Sequence, residues 1–581
     1  MTSLGFHMEI ESSSPNPNNP SSFNGERDTS NPEEEYDYSY EKNPIMLSSS
    51  EDCMEIDASE YELEKIATKY TKRRNQERSR KLILLFSTVI LILILTTFTF
   101  LHSKSKLNRT NEGHNHHEKR KVPKHPAFHH VKSKVIPGYQ ASMHLYRHIQ
   151  TQAEFIAFRP VDSTQDKTFG ISFRTKPTNN NGVAHILEHS VLSGSKNYPS
   201  KDPFLHLLKG SLHTYLNAMT YNDRTVFPIA SRNSKDFRNL MHVYLDAVFF
   251  PNCVQDSGDW VLKQEGWRYD VVDDKETDSG DSDGDDGNNN TNTTHTATIH
   301  QDGNENNAQT QRKELEVKGV VYSEMKGVFS SPESVIYRHT DKYLYPDNTY
   351  VYDSGGEPES IPTLTQSEFV EFYHKHYHPT NSQSFVSGTL EDIENAMEVM
   401  HTGYLSKFDS NERIKKDSAI QFQKKHFAHH LYQSLPYAVP KEDLDKGQHL
   451  LLITWLLNDE EMKQVLELSF YVLDYLLVGT TSSPLNKVLR ESGLGSNVIG
   501  GGLSPGLLQT TFGIGMKGVK RGDVVPLEET IMTVFLDLAK DGFSDDDIKA
   551  AMNSIEFDVS DMKTIGVCVC VCVCVCVCVC V

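Results

Sequence analysis

Gly182-Val-Ala-His185-Ile-Leu-Glu188-His189-Ser190 is the stretch on which the reading of this chain turns. On a helix, His185 and His189 stand four residues apart and share a face. Two imidazoles at that spacing can grip one zinc ion. Glu188 precedes His189 and lies beside the same face, so its carboxylate can reach a metal-bound water without being a ligand. This is the inverted H-x-x-E-H arrangement, with the carboxylate as general base. Three fixed positions in five arise by chance in about one chain in 15 of this length and composition. The pattern alone is therefore suggestive, and a surface helix with two unrelated histidines is the bland alternative.

A catalytic zinc site needs a third protein ligand and an open position for water. Glu324, in Gly319-Val-Val-Tyr-Ser-Glu-Met-Lys-Gly327, follows a strand-like run and starts or lies on a helix. Glu314, Glu316 and Glu333 compete for the role, and spacing alone only prefers Glu324.

Around these motifs the chain reads as α+β. Residues 153–158, 168–175 and 314–322 are strand-like. Residues 234–250 have helical spacing, with Phe237, Leu240, Met241, Tyr244, Leu245 and Val248 on one face. Residues 273–313 form an acidic, polar insert expected to be disordered, tolerable if its ends lie close. Its aspartate run lacks the glutamate that closes a calcium loop. A second globular stretch follows from about 445, with a strand at 450–457, helices at 466–477 and 525–540, and a glycine-rich strand region at 495–515. It holds no His/Glu cluster with ligand spacing.

Upstream, residues 1–81 form an acidic tail expected to be disordered. Residues 82–101, LILLFSTVILILILTTFTFL, carry no charge and no proline and are long enough to cross a bilayer. Lys65, Lys69, Lys72, Arg73, Arg74, Arg78, Arg80 and Lys81 precede them, against Lys104, Lys106 and Arg109 after. The positive-inside rule places the N-terminus in the cytoplasm and the bulk of the chain beyond the membrane, behind an uncleaved signal anchor. Residues 102–134 then form a basic stem in which His114, His116, His117, His125, His129 and His130 read as solvated linker. Asn108, Asn289 and Asn292 open glycosylation sequons that fit a luminal or extracellular location.

The net charge of −21 over 581 residues argues against a nucleic-acid partner, which needs a concentrated basic surface. Seven of the nine cysteines fall in the Val-Cys alternation of 567–581, expected from an in-frame GT repeat and read as an artefact. Cys53 and Cys253 remain, too few for a disulfide framework or a cysteine zinc site.

Six strings decide the family. They are GVAHILEHSVLSGSKNYPSKDPF (182–204), YLNAMTYNDRTVFPIAS (215–231), FRNLMHVYLDAVFFP (237–251), KQEGWRYD (263–270), GVVYSEMKGVFSSPES (319–334) and HYHPTN (376–381). In this order they resemble the presequence protease and falcilysin branch of the pitrilysin-type zinc metallopeptidases. The resemblance covers most of 135–560 and is weaker in its second part. It implies one zinc per chain, with His185, His189 and Glu324 as ligands and Glu188 as base. No covalent intermediate is needed, so no serine or cysteine nucleophile is expected.

The resemblance implies two similar domains, each a mainly antiparallel sheet flanked by helices, forming the first half of a clamshell. The zinc-binding domain is expected at 135–430 and a truncated, metal-free one at 431–566. It further implies that the strand Thr214–Thr220 offers an edge to an extended peptide, with Asn217 and Ala218 at the contact. The expected function is hydrolysis of unfolded peptides, either presequence-type or luminal. The second half of the clamshell, which would close the chamber, is expected to be missing. The alternative class is a non-catalytic, membrane-anchored peptide-binding or scaffold protein derived from such an enzyme. A mis-joined N-terminus would restore a mitochondrial or plastid location.

Overall fold

The computed structural model describes residues 5–12, 121–161, 166–201, 203–255, 258–273, 313–424, 427, 429–439 and 448–561. Strand β1 (Gly5–Ser12) comes first. After it come β2 (Phe128–Ile136), β3 (Ala141–His148), β4 (Glu154–Pro160) and β5 (Lys167–Arg174). Helices α1 (Val183–Val191) and α2 (Pro203–Gly210) lead to β6 (His213–Leu216), β7 (Met219–Thr220), β8 (Arg224–Ser231) and α3 (Ser234–Phe249). A hairpin, β9 (Arg268–Asp273) and β10 (Lys313–Lys318), precedes α4 (Val320–Val328), α5 (Pro332–Leu344) and α6 (Gln366–His376). The first unit closes with β11 (Ser382–Ser387), α7 (Leu390–Gly403) and α8 (Glu412–Asp417).

Local chemistry sets the helix ends. The Asn233 side chain accepts from the amides of Lys235 and Asp236 at the start of α3. Capping boxes start α6 (Thr365 with Glu368) and α7 (Thr389 with Asp392). Each satisfies amides that have no partner inside the helix.

The first sheet runs β2-β3-β4-β11-β5-β8-β6, with β7 also paired to β8. Neighbours are antiparallel except β11 and β4. Its main core joins Phe155, Phe169, Ile171, Phe173, Phe227 and Ile229 of the sheet to α1, α3, α6 and α7. Each fully buried Phe or Ile there contributes about 1.5–3 kcal/mol relative to exposure. A smaller cluster (Leu145, Ile156, Phe158, Val226, Phe385) covers the other face.

The second unit comprises β12 (Leu431–Tyr437), β13 (His449–Leu456), α9 (Gln464–Val478), α10 (Pro484–Glu491), β14 (Asn497–Ser504), β15 (Thr511–Val519), α11 (Val524–Asp541) and α12 (Asp545–Asp561). Its sheet order is β12-β1-β13-β15-β14. Helix α5 lies between the units: Ile336, Leu344, Tyr345 and Tyr350 pack with Leu450, Leu452 and Ile499. The Tyr345 hydroxyl donates to the Gln509 carbonyl at 2.9 Å, and Glu333 meets Lys517 at 2.7 Å.

Several expectations change. Residues 5–12 are a strand inside the second sheet, not part of a disordered tail. A strand bonded residue by residue to β12 and β13 shares their side of any bilayer, since a hydrocarbon core of about 30 Å would part them. The expected arrangement, with 1–81 cytoplasmic and the rest beyond one span at 82–101, conflicts with that pairing. Residues 82–101 themselves lie outside the described residues. Among the described residues no helix is long and apolar enough to cross a membrane.

The stem is shorter than 102–134. Phe128 is buried in the main core, the Tyr146 hydroxyl donates to the Pro123 carbonyl, and β2 pairs with β3 along its length. Apolar anchors at Val122 and Phe128 bring the chain onto the sheet before residue 135. The strand expected at 314–322 ends at Lys318, because Gly319 breaks it and a helix begins. Residues 274–312, with most of the insert and both Asn289 and Asn292, lie outside the described residues. So do Asn108 and the Val-Cys run. The flanks of the insert, Asp273 and Lys313, are register partners, so its ends are adjacent.

Candidate metal centre

Helix α1 is buried from Val183 to Glu188, with Ile186, Leu187 and Val191 in the main core. That burial fixes the rotation of the helix and hence the direction of its two histidines. The helix starts at Gly182, where φ is +69° and a Cβ would stand 2.7 Å from the Gly355 carbonyl oxygen. A side chain is thus excluded on both counts. The contact matters to the site, because the same carbonyl accepts from His185 Nδ1 at 3.3 Å.

Glu324 arrives on α4. The residue before that helix, Gly319, sits so close to Gly266 that a Cβ would meet its carbonyl oxygen at 1.9 Å. Only glycine permits this approach, and it locks α4 against the helical turn 262–266. That turn carries Glu265, whose Oε2 lies 3.5 Å from His189 Nδ1.

Both Nδ1 atoms therefore face acceptors, which leaves the Nε2 lone pairs of His185 and His189 pointing elsewhere. Both Nε2 atoms lie near one oxygen. Glu324 Oε2 lies 3.6 Å from His185 Nε2 and 3.8 Å from His189 Nε2. Zinc bonds of about 2.0–2.2 Å meeting at tetrahedral angles put donor atoms about 3.3–3.5 Å apart. The observed separations are slightly wider, and two imidazoles with one carboxylate are the donors zinc takes, so the residues fit the ion. Among the described residues this trio is the only group of three His, Cys, Asp or Glu side chains with donor atoms within 4.8 Å of one another. The rivals are committed elsewhere: Glu333 to Lys517, and Glu316 to Lys318 in the hairpin. Glu314 sits in the same hairpin, opposite Val272.

Glu188 is buried at the foot of the site. Burial raises its pKa, opposed by Thr220 and by the charge of His189. The site histidines move in opposite directions. Burial and the neighbouring His189 lower His185. For His189 burial also lowers, but Glu265, Glu188 and Glu324 together outweigh it and raise the pKa.

Thr220 ends β7, so the short strand reaches the chemistry. The expected strand 214–220 is two pieces, β6 and β7, broken at Asn217 and Ala218. β6 is the last strand on its side of the sheet. The Asn217 amide donates to the Pro228 carbonyl at 3.2 Å, and its own carbonyl accepts from the Tyr244 hydroxyl at 3.2 Å. Ala218 is half-buried against the main core.

The family model for the insulinase peptidases (peptidase family M16) matches residues 173–265, and that for the M16 inactive domain matches 363–555. The chain is 40% identical over 437 residues to presequence protease 1, chloroplastic/mitochondrial, of Arabidopsis thaliana, covering 75% of this chain and 36% of that protein. The chain belongs to the M16 peptidase family, in its presequence protease branch. Protein HypA of Clostridium perfringens is 38% identical over 71% of this chain, and the mitochondrial presequence protease of Xenopus laevis 32% identical over 72%. The M16 match spans 36–38% of the length of these relatives.

Two features of this M16 site escaped the sequence reading. Glu265 lies in the quoted string KQEGWRYD, but nothing in its spacing ties it to His189. Arg338 pairs with Asp353 and, with His339, Asp341 and Glu357, lines a cavity of about 300 Å³. Ser354 in its wall precedes Gly355, the partner of His185.

Proposed function

We propose that the chain is the zinc-binding part of a metalloendopeptidase that hydrolyses unfolded peptides. The observation that carries this reading is the convergence of His185, His189 and Glu324 with buried Glu188 beside them. A bound zinc would acidify its water and polarise the scissile carbonyl. Glu188 takes the proton from the attacking water and returns it to the leaving amine. A base whose pKa is raised toward neutrality is better matched to both transfers. Glu265 and the Gly355 carbonyl hold the two imidazoles in the tautomer that leaves Nε2 free.

Substrate would lie along the β6–β7 edge, with the contact at Asn217 and Ala218; because the Asn217 amide is bonded to Pro228 and its carbonyl already accepts from Tyr244, an extended peptide there would bond to the second lone pair of that carbonyl or to Ala218. Such pairing reads backbone more than side chains, which suits peptides of varied sequence. Closure of the chamber is assigned to a second half of the kind the relatives possess. The presequence proteases among the relatives are named as mitochondrial or chloroplastic proteins, and we assign this chain to such an organelle. The apolar run 82–101 is assigned to membrane contact, which carbonate extraction of the full chain would test.

The deciding experiment measures zinc content and hydrolysis of a quenched unstructured peptide, with a presequence-protease second half supplied in trans. About one zinc per chain, with turnover that Glu188→Gln abolishes while keeping zinc, supports the enzyme. No zinc binding under any condition overturns the ligand set and leaves a non-catalytic peptide-binding protein.

A further inference from the structure

The carbonyl that accepts from His185 Nδ1 belongs to a turn, 353–357, lodged between the two helices that carry the donor trio. On one side the turn meets the start of α1. The Asp353 amide donates to the Asn180 side-chain oxygen at 2.9 Å, and the Glu357 amide donates to the Asn180 carbonyl at 2.8 Å. Gly356 has φ +98°, and a Cβ there would stand 2.7 Å from Gly182 Cα. On the other side the turn meets α4. A Cβ on Gly355 would stand 2.7 Å from Cε of Met325, the residue after Glu324.

Two glycines in succession are the freest backbone a chain can have. His185 nevertheless needs the Gly355 carbonyl in one direction, and Asp353 removes the freedom twice. Its Oδ1 accepts from the Gly355 amide at 2.8 Å, which fixes the peptide plane before Gly355. Its main-chain carbonyl accepts from the Gly356 amide at 3.2 Å. In a planar trans peptide the N–H and C=O point opposite ways. The second bond therefore turns the Gly355 carbonyl away from Asp353 and toward the ring. Asp353 is held in its turn by an ion pair with Arg338 of α5. The Arg338 guanidinium lies over the ring of Phe329, 4.1 Å from its centroid, where α4 ends.

A carbonyl oxygen has no proton to give. A ring bonded to it carries its proton at Nδ1 and keeps a lone pair at Nε2. We propose that Asp353, braced by Arg338, is a positioning residue for the metal centre: through the Gly355 peptide it holds the His185 ring in the tautomer protonated at Nδ1, with Nε2 free for a metal. The consequence for zinc rests on the metalloendopeptidase reading, whereas the tautomer is a property of the metal-free chain. Arg338 and Asp353 border the cavity of about 300 Å³ and keep 23% and 17% side-chain exposure, so replacing them opens no hole in the main core.

Nuclear magnetic resonance of the metal-free full chain, labelled with ¹⁵N at histidine, reads the tautomer. The His185 ring signals are those lost in His185→Gln. The wild type should show Nδ1 protonated. Asp353→Ala should give a mixture of tautomers and bind zinc about tenfold more weakly, as loss of a ligand's support does. Asp353→Asn keeps an oxygen for the Gly355 amide and should restore the tautomer. Asp353→Glu keeps the charge beside Arg338 but moves the oxygen off that amide; it should mix the tautomers too, and it serves if the alanine variant does not fold. Ile229→Val, a core change, should lower the melting temperature and leave tautomer and affinity alone, which separates positioning from general destabilisation. A His185 ring that keeps the wild-type tautomer in Asp353→Ala and Asp353→Glu, or that lacks it in the wild type, would overturn the proposal. A wild-type ring protonated at Nδ1 in a chain that binds no zinc would support the positioning and overturn the ligand set instead.

Discussion

Glu265→Gln isolates the part of the metal centre that the motif does not contain. The substitution keeps size and removes the charge that faces His189 Nδ1 at 3.5 Å. Partners of this kind orient the ring and raise its basicity, and their loss typically costs 10–100-fold in metal affinity. The 3.5 Å separation is longer than a full hydrogen bond, which argues for the lower half of that range. The expected loss is about 10–30-fold, or about 1.4–2 kcal/mol. The assay is zinc titration of the metal-free chain against a fluorescent chelator at pH 7.5. Glu333→Gln is the control, because its partner is Lys517 and it lies outside the donor trio. An unchanged affinity for Glu265→Gln would refute the positioning role. A loss as complete as that of Glu324→Gln would make Glu265 a ligand instead.

Other outcomes follow from the same geometry. Gly319→Ala drives a Cβ into the Gly266 backbone, which cannot swing aside, so a loss of about 1–3 kcal/mol and weaker zinc binding are expected; an unchanged melting temperature would contradict the close approach. Burial raises the Asp341 pKa from 3.8 to about 7. Between those values the unfolded chain has released a proton that the folded chain keeps, so stability falls as pH rises, by up to about 4 kcal/mol. Asp341→Asn should therefore gain more in melting temperature at pH 8 than at pH 5, and parallel melting curves would refute this. His376 has the opposite sign: burial holds it at about 4, with Nδ1 against the Arg174 carbonyl. Below pH 6.5 the unfolded chain gains a proton that the folded chain refuses, so its contribution is lost as pH falls from 6.5 toward 4. His376→Gln should flatten that acid limb, as monitored by circular dichroism.

Much of the fold was legible locally. The strands at 154–160, 167–174 and 449–456 and the helices at 234–249, 464–478 and 524–541 follow from hydrophobic period. Within the site, His185, Glu188 and His189 share one helical turn, so their relation is a matter of spacing alone. Glu324 needed the family resemblance, because a contact across more than a hundred residues leaves no local trace. The misreadings share that origin. Residues 5–12 look like part of a polar tail until two distant strands offer them a ladder, and 121–134 look like a stem until Phe128 finds the core.

The sequence by itself determined the α+β class, the helix that carries His185, Glu188 and His189, and the family. Those depend on short-range periodicity and on strings too specific to recur by chance. Only the tertiary structure chose Glu324 over its neighbouring carboxylates by geometry, brought Glu265 behind His189, and split the peptide edge at Asn217. It alone placed a strand from the N-terminus in the second sheet. Each of these is a contact between segments far apart in the chain, set by how helices and strands close-pack and satisfy their backbone groups, and no residue pattern within one segment encodes it.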